Sequence, residues 1–381
     1  MSRHAPRQHG RIESAIKLAI ACGVMLLAVA LAEDARVERV RTQEPRNGNV
    51  RIGVLGLFEP RELTVSAEDN NALILHSEQQ TSVLERSSGV QVAEVRSIGS
   101  VLAVRVGTST VHTSTLTITG RDGGPAGFVL SVPGKIARHY RGTLELKPVS
   151  GVVVAVVSMD LETAVASVVG AEGLAGAPIE ALKAQAVAAR SYLVAGKGRH
   201  SEFDFCDSTH CQFLRDPPGP GSVAEAALAT RGLVLAYDSQ PFAAMYTRSC
   251  RGRTRTPLEL GLPSGVYPYY SVDCKYCRLH PSRWQSRISA RNAATLRDSD
   301  ESSRLQLNRR LGWGTAPSNT YIRRKQGEHV ILEGTGQGHG IGLCQSGAMA
   351  MAKGGADFAQ ILSHYYPNTT IVFMRRLGAN R

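Results

Sequence analysis

Residues Leu161–Val194 read LETAVASVVGAEGLAGAPIEALKAQAVAARSYLV, and the hydrophobic period changes at the start of this stretch. Leu161, Val165, Val168 and Glu172 are spaced by four, three and four, which places them on one helical face. Asp160 or Ser158 can cap the start of that helix, and Gly173 and Gly176 follow its end. Pro178 suits the first turn of a second helix, whose buried stripe is expected to be Ile179, Leu182, Ala186, Ala189 and Leu193. Its many alanines permit close packing on a neighbour.

Upstream the period is two. ALILHSE (72–78), VAEVRSI (92–98), VLAVRVG (101–107), STLTITG (114–120), GFVLSVPG (127–134), GTLELKPV (142–149) and GVVVAVVSM (151–159) are short β runs divided by turn residues. The expectation is an α+β protein: an antiparallel β-rich module over residues 50–157, then a mixed helix and strand module over 158–375. Residues 199–330 read as loops and strands with one helix. Near the C-terminus, Asp357 with Gln360 has the form of a capping box, and Pro367 stops the helix it opens.

Further upstream lie a polar linker (33–49) and a leader (1–32). Arg3, Arg7, Arg11 and Lys17 precede an unbroken run of small and apolar residues, Leu18–Ala32, which closes on Ala30-Leu31-Ala32. The run is short for a spanning helix. It reads as a signal peptide or uncleaved signal anchor, so export to the periplasm or the cell-wall side of the membrane is expected, with membrane contact only through this segment. The 381 residues carry 44 Lys and Arg against 32 Asp and Glu, a net +12. No nucleic-acid motif accompanies that charge, so outside the cytoplasm its acidic partners would be wall glycans or anionic lipid. Hydrophobic residues at 43% exclude a disordered chain.

Three groups of residues carry chemistry. Glu172 continues an apolar stripe where Leu or Val would be expected; burial and the negative end of the helix dipole would both raise its pKa, the condition a general acid needs. A solvated helix-end Glu is the ordinary alternative. RHSEFDFCDSTHCQ (199–212) gathers His200, Cys206, His210 and Cys211, a donor set for tetrahedral Zn²⁺ or, in an oxidising compartment, a Cys206–Cys211 disulfide. Cys274 and Cys277 form a C-x2-C with His280 after it, by itself a weak signal for a second metal site; with Cys250 and Cys344 they complete six cysteines outside the leader, for which fifteen disulfide pairings exist. The third group is GTGQGHGIGLCQSGAMAMA (334–352), six glycines around His339. It lacks the Gly-Lys-Ser/Thr end of a phosphate loop and follows no βαβ unit, so neither a nucleotide nor another organic cofactor is expected. His339 is either a hydrogen-bonding cleft residue or a structural histidine.

Three segments together resemble the stage II sporulation protein D/amidase enhancer LytB family: LETAVASVVGAEGLAGAPIEALKAQAVAARSYLV, with Glu172 and Glu180 eight apart; FDFCDSTHCQ (203–212); and GQGHGIGLCQSGAMAMAKGG (336–355) with ILSHYYPNT (361–369). RHYRGTLEL (138–146) and YTRSCRGRT (246–254) are fainter echoes. The resemblance implies a protein acting on peptidoglycan glycan strands. Glu172 matches the catalytic glutamate of the family's lytic transglycosylases, which leave 1,6-anhydro-muramic ends. Gln185, Arg190, Gln212, His339 and Gln345 would be cleft residues, and His200, Cys206, His210 and Cys211 match a zinc set held by some members. The amidase-enhancer branch implies a second class of function, glycan binding that stimulates a separate cell-wall amidase. Two departures stand out. Gly173-Leu174 replaces the family's Met-Pro after the glutamate, and Cys250-Arg251-Gly252 replaces its Cys-Gly-Gly, where Arg251 either binds a carboxylate of the wall or points to solvent.

Overall fold

The computed structural model describes residues 48–374, apart from 69, 70, 86, 88 and 197–199. The expected leader and nearly all of the linker lie outside the described residues. No helix among the described residues is long and apolar enough to cross a membrane.

The period-two runs form one large, curled, mostly antiparallel sheet. Its strand order is Phe205–Cys206, Asn49–Val54, Val152–Asp160, Ile136–Val149, Ala126–Val132, Glu62–Ala67, Val92–Ile98, Val101–Val106 and Ser109–Thr113. The 14-residue strand Ile136–Val149 serves both halves of the curl: residues 136–142 pair with Ala126–Val132, and 143–149 pair with Val152–Ser158. Gly142 sits at the changeover. A Cβ there would run into the Ser158 carbonyl oxygen, so only glycine lets the two strands cross so closely.

The boundary anticipated after residue 157 falls inside the strand Val152–Asp160. Beyond it, Phe205–Cys206 adds in parallel to the edge of Asn49–Val54, with Ile52 opposite Phe205 and Gly53 opposite Cys206. A single buried cluster runs from Val50 through the sheet to Leu193, Leu214 and Ala227. The β module and the helical half downstream therefore share a sheet and a core.

Asp160 caps the helix Leu161–Glu172, its Oδ1 accepting from the N–H groups of Glu162 (2.9 Å) and Thr163 (3.1 Å). Pro178 is the cap of the helix Ile179–Ala195 rather than its first residue. That second helix is buried nearly all round: Leu182, Ala186, Ala189 and Leu193 face the sheet cluster, while Ala184, Val187 and Ala188 face a second cluster with Phe242, Tyr267, Tyr365 and Tyr366. In place of the one apolar stripe expected, two layers claim the helix, and the alanines are what let both approach.

The stretch from 199 to 330 holds more helix than the single one anticipated, including Ser222–Ala229 and Glu301–Leu311. Residues 283–335 build a small annex, the sheet Tyr321–Gln326, His329–Thr335 and Arg283–Ser289 packed through Ile288 and Leu332 on Leu307. The capping box holds: Asp357 accepts from the Gln360 N–H (2.7 Å) while Gln360 Oε1 accepts from the Asp357 N–H (3.0 Å).

Candidate active site

Glu172 ends its helix half-buried, and its carboxylate is held at both oxygens. Oε1 accepts from the Phe213 backbone N–H at 2.6 Å, and Oε2 accepts from the Tyr246 hydroxyl. Its own carbonyl accepts from Gln345 Nε2 at 2.9 Å. Burial raises the carboxyl pKa above the ordinary value, outweighing the opposing hydrogen bonds from Tyr246 and Phe213. Tyr246 is driven the same way, first by burial and then by the facing carboxylate, so its hydroxyl stays protonated and remains a donor.

Tyr246 is positioned by the glycine–histidine loop. Tyr246–Thr247 pairs in parallel with Leu343–Cys344. Gly342, at φ +70°, makes this possible, because a Cβ there would overlap the Met245 carbonyl oxygen. His339 Nδ1 accepts from the Ile341 N–H (3.0 Å), so the ring proton sits on Nε2 and is directed at the Tyr246 backbone. Burial lowers the His339 pKa and keeps the ring neutral. His339 thus lies against the backbone of the residue that holds Glu172, and it also lines the pocket beside Arg251.

Two glutamines leave donors open. Gln185 lines a small pocket with Leu174, Ala177, Ala181, Leu343 and Gln345, and its Nε2 is buried without a protein partner. Gln212, one residue before the N–H that holds Glu172, is buried with both amide atoms unsatisfied. Orphaned amides of this kind cost stability unless a ligand or water meets them.

Arg190 corrects the sequence expectation. It is fully buried, and its guanidinium is consumed by Glu162 (Nε to Oε1 2.9 Å, Nη2 to Oε2 2.6 Å) and by the carbonyls of Leu233 (3.1 Å) and Ala227 (3.2 Å). No donor is left for a sugar, so Arg190 locks helix to helix and is not a cleft residue. Arg251, by contrast, is exposed beside a pocket lined by Ser249, Gly336, Gly338 and His339.

The cysteine–histidine loop contains the strand Phe205–Cys206, which pairs with the edge of Asn49–Val54. Asp207 is its anchor, accepting from the Leu55 N–H (3.0 Å), Arg138 (2.9 Å) and the Tyr140 hydroxyl (3.3 Å). His200 Nε2 lies 3.3 Å from Cys211 Sγ, the Cys206 and Cys211 sulfurs are 3.4 Å apart with no disulfide between them, and His210 Nδ1 is 3.7 Å from each sulfur. All four donor atoms lie within 4.8 Å of one another. A tetrahedron with Zn–S of about 2.3 Å and Zn–N of about 2.0 Å has edges of roughly 3.3–3.8 Å. The residues present fit that ion. Hydrogen bonding to Cys211, then to Ser208 and His210, outweighs burial and draws the Cys206 thiol down to about 4.

Tyr246 is not singled out by the sequence, although it opens the segment YTRSCRGRT. A tyrosine in a short polar run carries no periodic signal; only its pairing with Leu343 brings it to Glu172.

Residues 150–237 match the family model described as SpoIID, Stage II sporulation protein. An uncharacterized protein of Brachyspira hyodysenteriae is 27% identical over 275 residues, covering 63% of this chain and 74% of that one. Stage II sporulation protein D of Bacillus subtilis is 25% identical over 298 residues, covering 63% of this chain and 84% of its own. The Amidase enhancer of the same organism is 41% identical over 58 residues, 15% of this chain and 8% of that protein. On these matches the chain is similar, over residues 150–237 and in its relatives, to the stage II sporulation protein D and amidase enhancer proteins.

Proposed function

We propose that this protein acts at the cell wall and cleaves peptidoglycan glycan strands as a lytic transglycosylase, with Glu172 as the single acid/base. The observation that supports it is one carboxyl group, raised in pKa by burial and oriented by Phe213 and Tyr246, beside buried amides with no partner. Protonated Glu172 gives its proton to the glycosidic oxygen as the bond from the muramic C1 to that oxygen breaks. The resulting carboxylate then takes the proton of the muramic C6 hydroxyl, whose oxygen bonds to C1 and closes the anhydro ring. Glu172 ends as it began, and no water is consumed. One carboxyl suffices because the sugar supplies its own nucleophile, where ordinary glycosidases need two.

His200, Cys206, His210 and Cys211 would hold Zn²⁺ as a closed four-ligand structural site, bracing the loop that carries Gln212 and Phe213. Gln345, through the Glu172 carbonyl, fixes the helix end against the glycine–histidine loop.

The short match to the Amidase enhancer favours a second reading, in which the cleft binds glycan and the protein stimulates a cell-wall amidase without breaking a bond. Purified protein incubated with denuded glycan strands in heavy-oxygen water separates these. The transglycosylase reading expects anhydro-muramic ends free of solvent oxygen. Ends that carry solvent oxygen would indicate a hydrolase, and intact strands would indicate the binding reading.

A further inference from the structure

The four remaining cysteines outside the leader meet at one point. Cys250, Cys274, Cys277 and Cys344 are all buried, free, and have sulfur atoms within 4.8 Å of one another. We infer that they form a second metal centre, a closed tetrathiolate site for Zn²⁺, behind the glycine–histidine loop.

The arrangement is fourfold rather than two bonded pairs. Cys277 and Cys344 sulfurs are 3.5 Å apart, near the edge of about 3.8 Å expected for four sulfurs at about 2.3 Å from a zinc ion. One N–H and two hydroxyls approach the sulfurs from outside. The Cys250 N–H points at Cys344 Sγ (3.3 Å), the Ser249 hydroxyl lies 3.5 Å from Cys277 Sγ, and the Tyr365 hydroxyl lies 3.4 Å from Cys274 Sγ. A metal-bound thiolate would accept from all three of these groups. The backbone is shaped to the cluster: a Cβ on Gly347 would meet Cys274 Sγ at 2.6 Å. A sulfur-only tetrahedral set selects zinc or iron–sulfur chemistry; with every ligand position filled by protein and no exposed edge for electron exchange, zinc is the fit.

Its placement gives it a task. Cys344 directly precedes Gln345, which holds the Glu172 carbonyl, and Cys250 follows Ser249, which exchanges backbone hydrogen bonds with Gln337 (3.0 and 2.8 Å). The C-x2-C pair begins and lines the short helix Lys275–Leu279. One ion would tie three separate segments to the floor of the cleft. Four thiols release their protons to solvent on binding it.

Elemental analysis of the full chain, purified without oxidant, tests this. About two zinc ions per chain are expected in the parent, with one lost in Cys274→Ser/Cys277→Ser. One should be retained in Cys206→Ser/Cys211→Ser, which leaves the second cluster intact. Cobalt loaded into that last variant should give the red-shifted visible bands of a tetrathiolate site. Should either variant fail to fold, alkylation of the parent decides: Cys250, Cys274, Cys277 and Cys344 must become reactive with denaturant and chelator alone. Disulfide-linked peptides joining any of these four in the parent, or a metal-free Cys206→Ser/Cys211→Ser protein, would overturn the assignment.

Discussion

Glu172 is a carboxylic acid whose proton the fold holds more tightly than the unfolded chain does. A raised folded-state pKa contributes stability that is full below the unfolded value of about 4.3 and is lost as pH rises through the folded value. Glutamine cannot ionise, so Glu172→Gln should match the parent's melting temperature at acid pH and exceed it increasingly towards alkaline pH. Parallel melting curves across that range would show that burial does not act on this carboxyl. Tyr246→Phe removes a hydrogen bond that favours the charged carboxylate. The alkaline limb of the pH–rate profile should then move further up, with a rate loss of about 10- to 100-fold from poorer positioning. An unmoved limb would reduce Tyr246 to packing.

At the scale of elements, two helices and the turn between them present Glu172. Arg190 and Glu162 join those helices, and their geometry is that of a buried ion pair. Arg190→Met strands the Glu162 carboxylate in the interior and should cost about 3–5 kcal/mol in urea denaturation. Glu162→Gln added to it should recover part of that loss, a coupling that independent sites would lack. Legibility divides along the same line. The helix from Leu161 to Glu172, its Asp160 cap and the Asp357–Gln360 capping box are readable in the sequence because their signals are local: spacing, and a side chain three residues from the N–H it meets. Arg190 is misplaced by such reading because nothing local distinguishes a cleft arginine from one whose partners are Glu162, Ala227 and Leu233. Tyr246 escapes it for the same reason, since its role depends on a parallel pairing with residues nearly a hundred positions away.

Across the whole molecule, the β module and the helical half are one packed body, joined where Phe205–Cys206 completes the sheet beside Asn49 to Val54. A boundary drawn from the change of hydrophobic period could not register this, because a two-residue edge strand has no period. The joint is also where the His200, Cys206, His210 and Cys211 set lies. With Zn²⁺ in that set, as proposed, chelator should lower the melting temperature and abolish the proposed strand cleavage, and Zn²⁺ but not Mg²⁺ should restore both. Retention of activity by a metal-depleted protein would separate the loop from the site.

Whether Glu172 is the group that trades its proton with the glycan is addressed most directly by mass spectrometry of the products from denuded strands. The parent should generate anhydro-muramic ends, and folded Glu172→Gln should generate at least about 100-fold fewer. An equal yield from the two proteins would contradict that role.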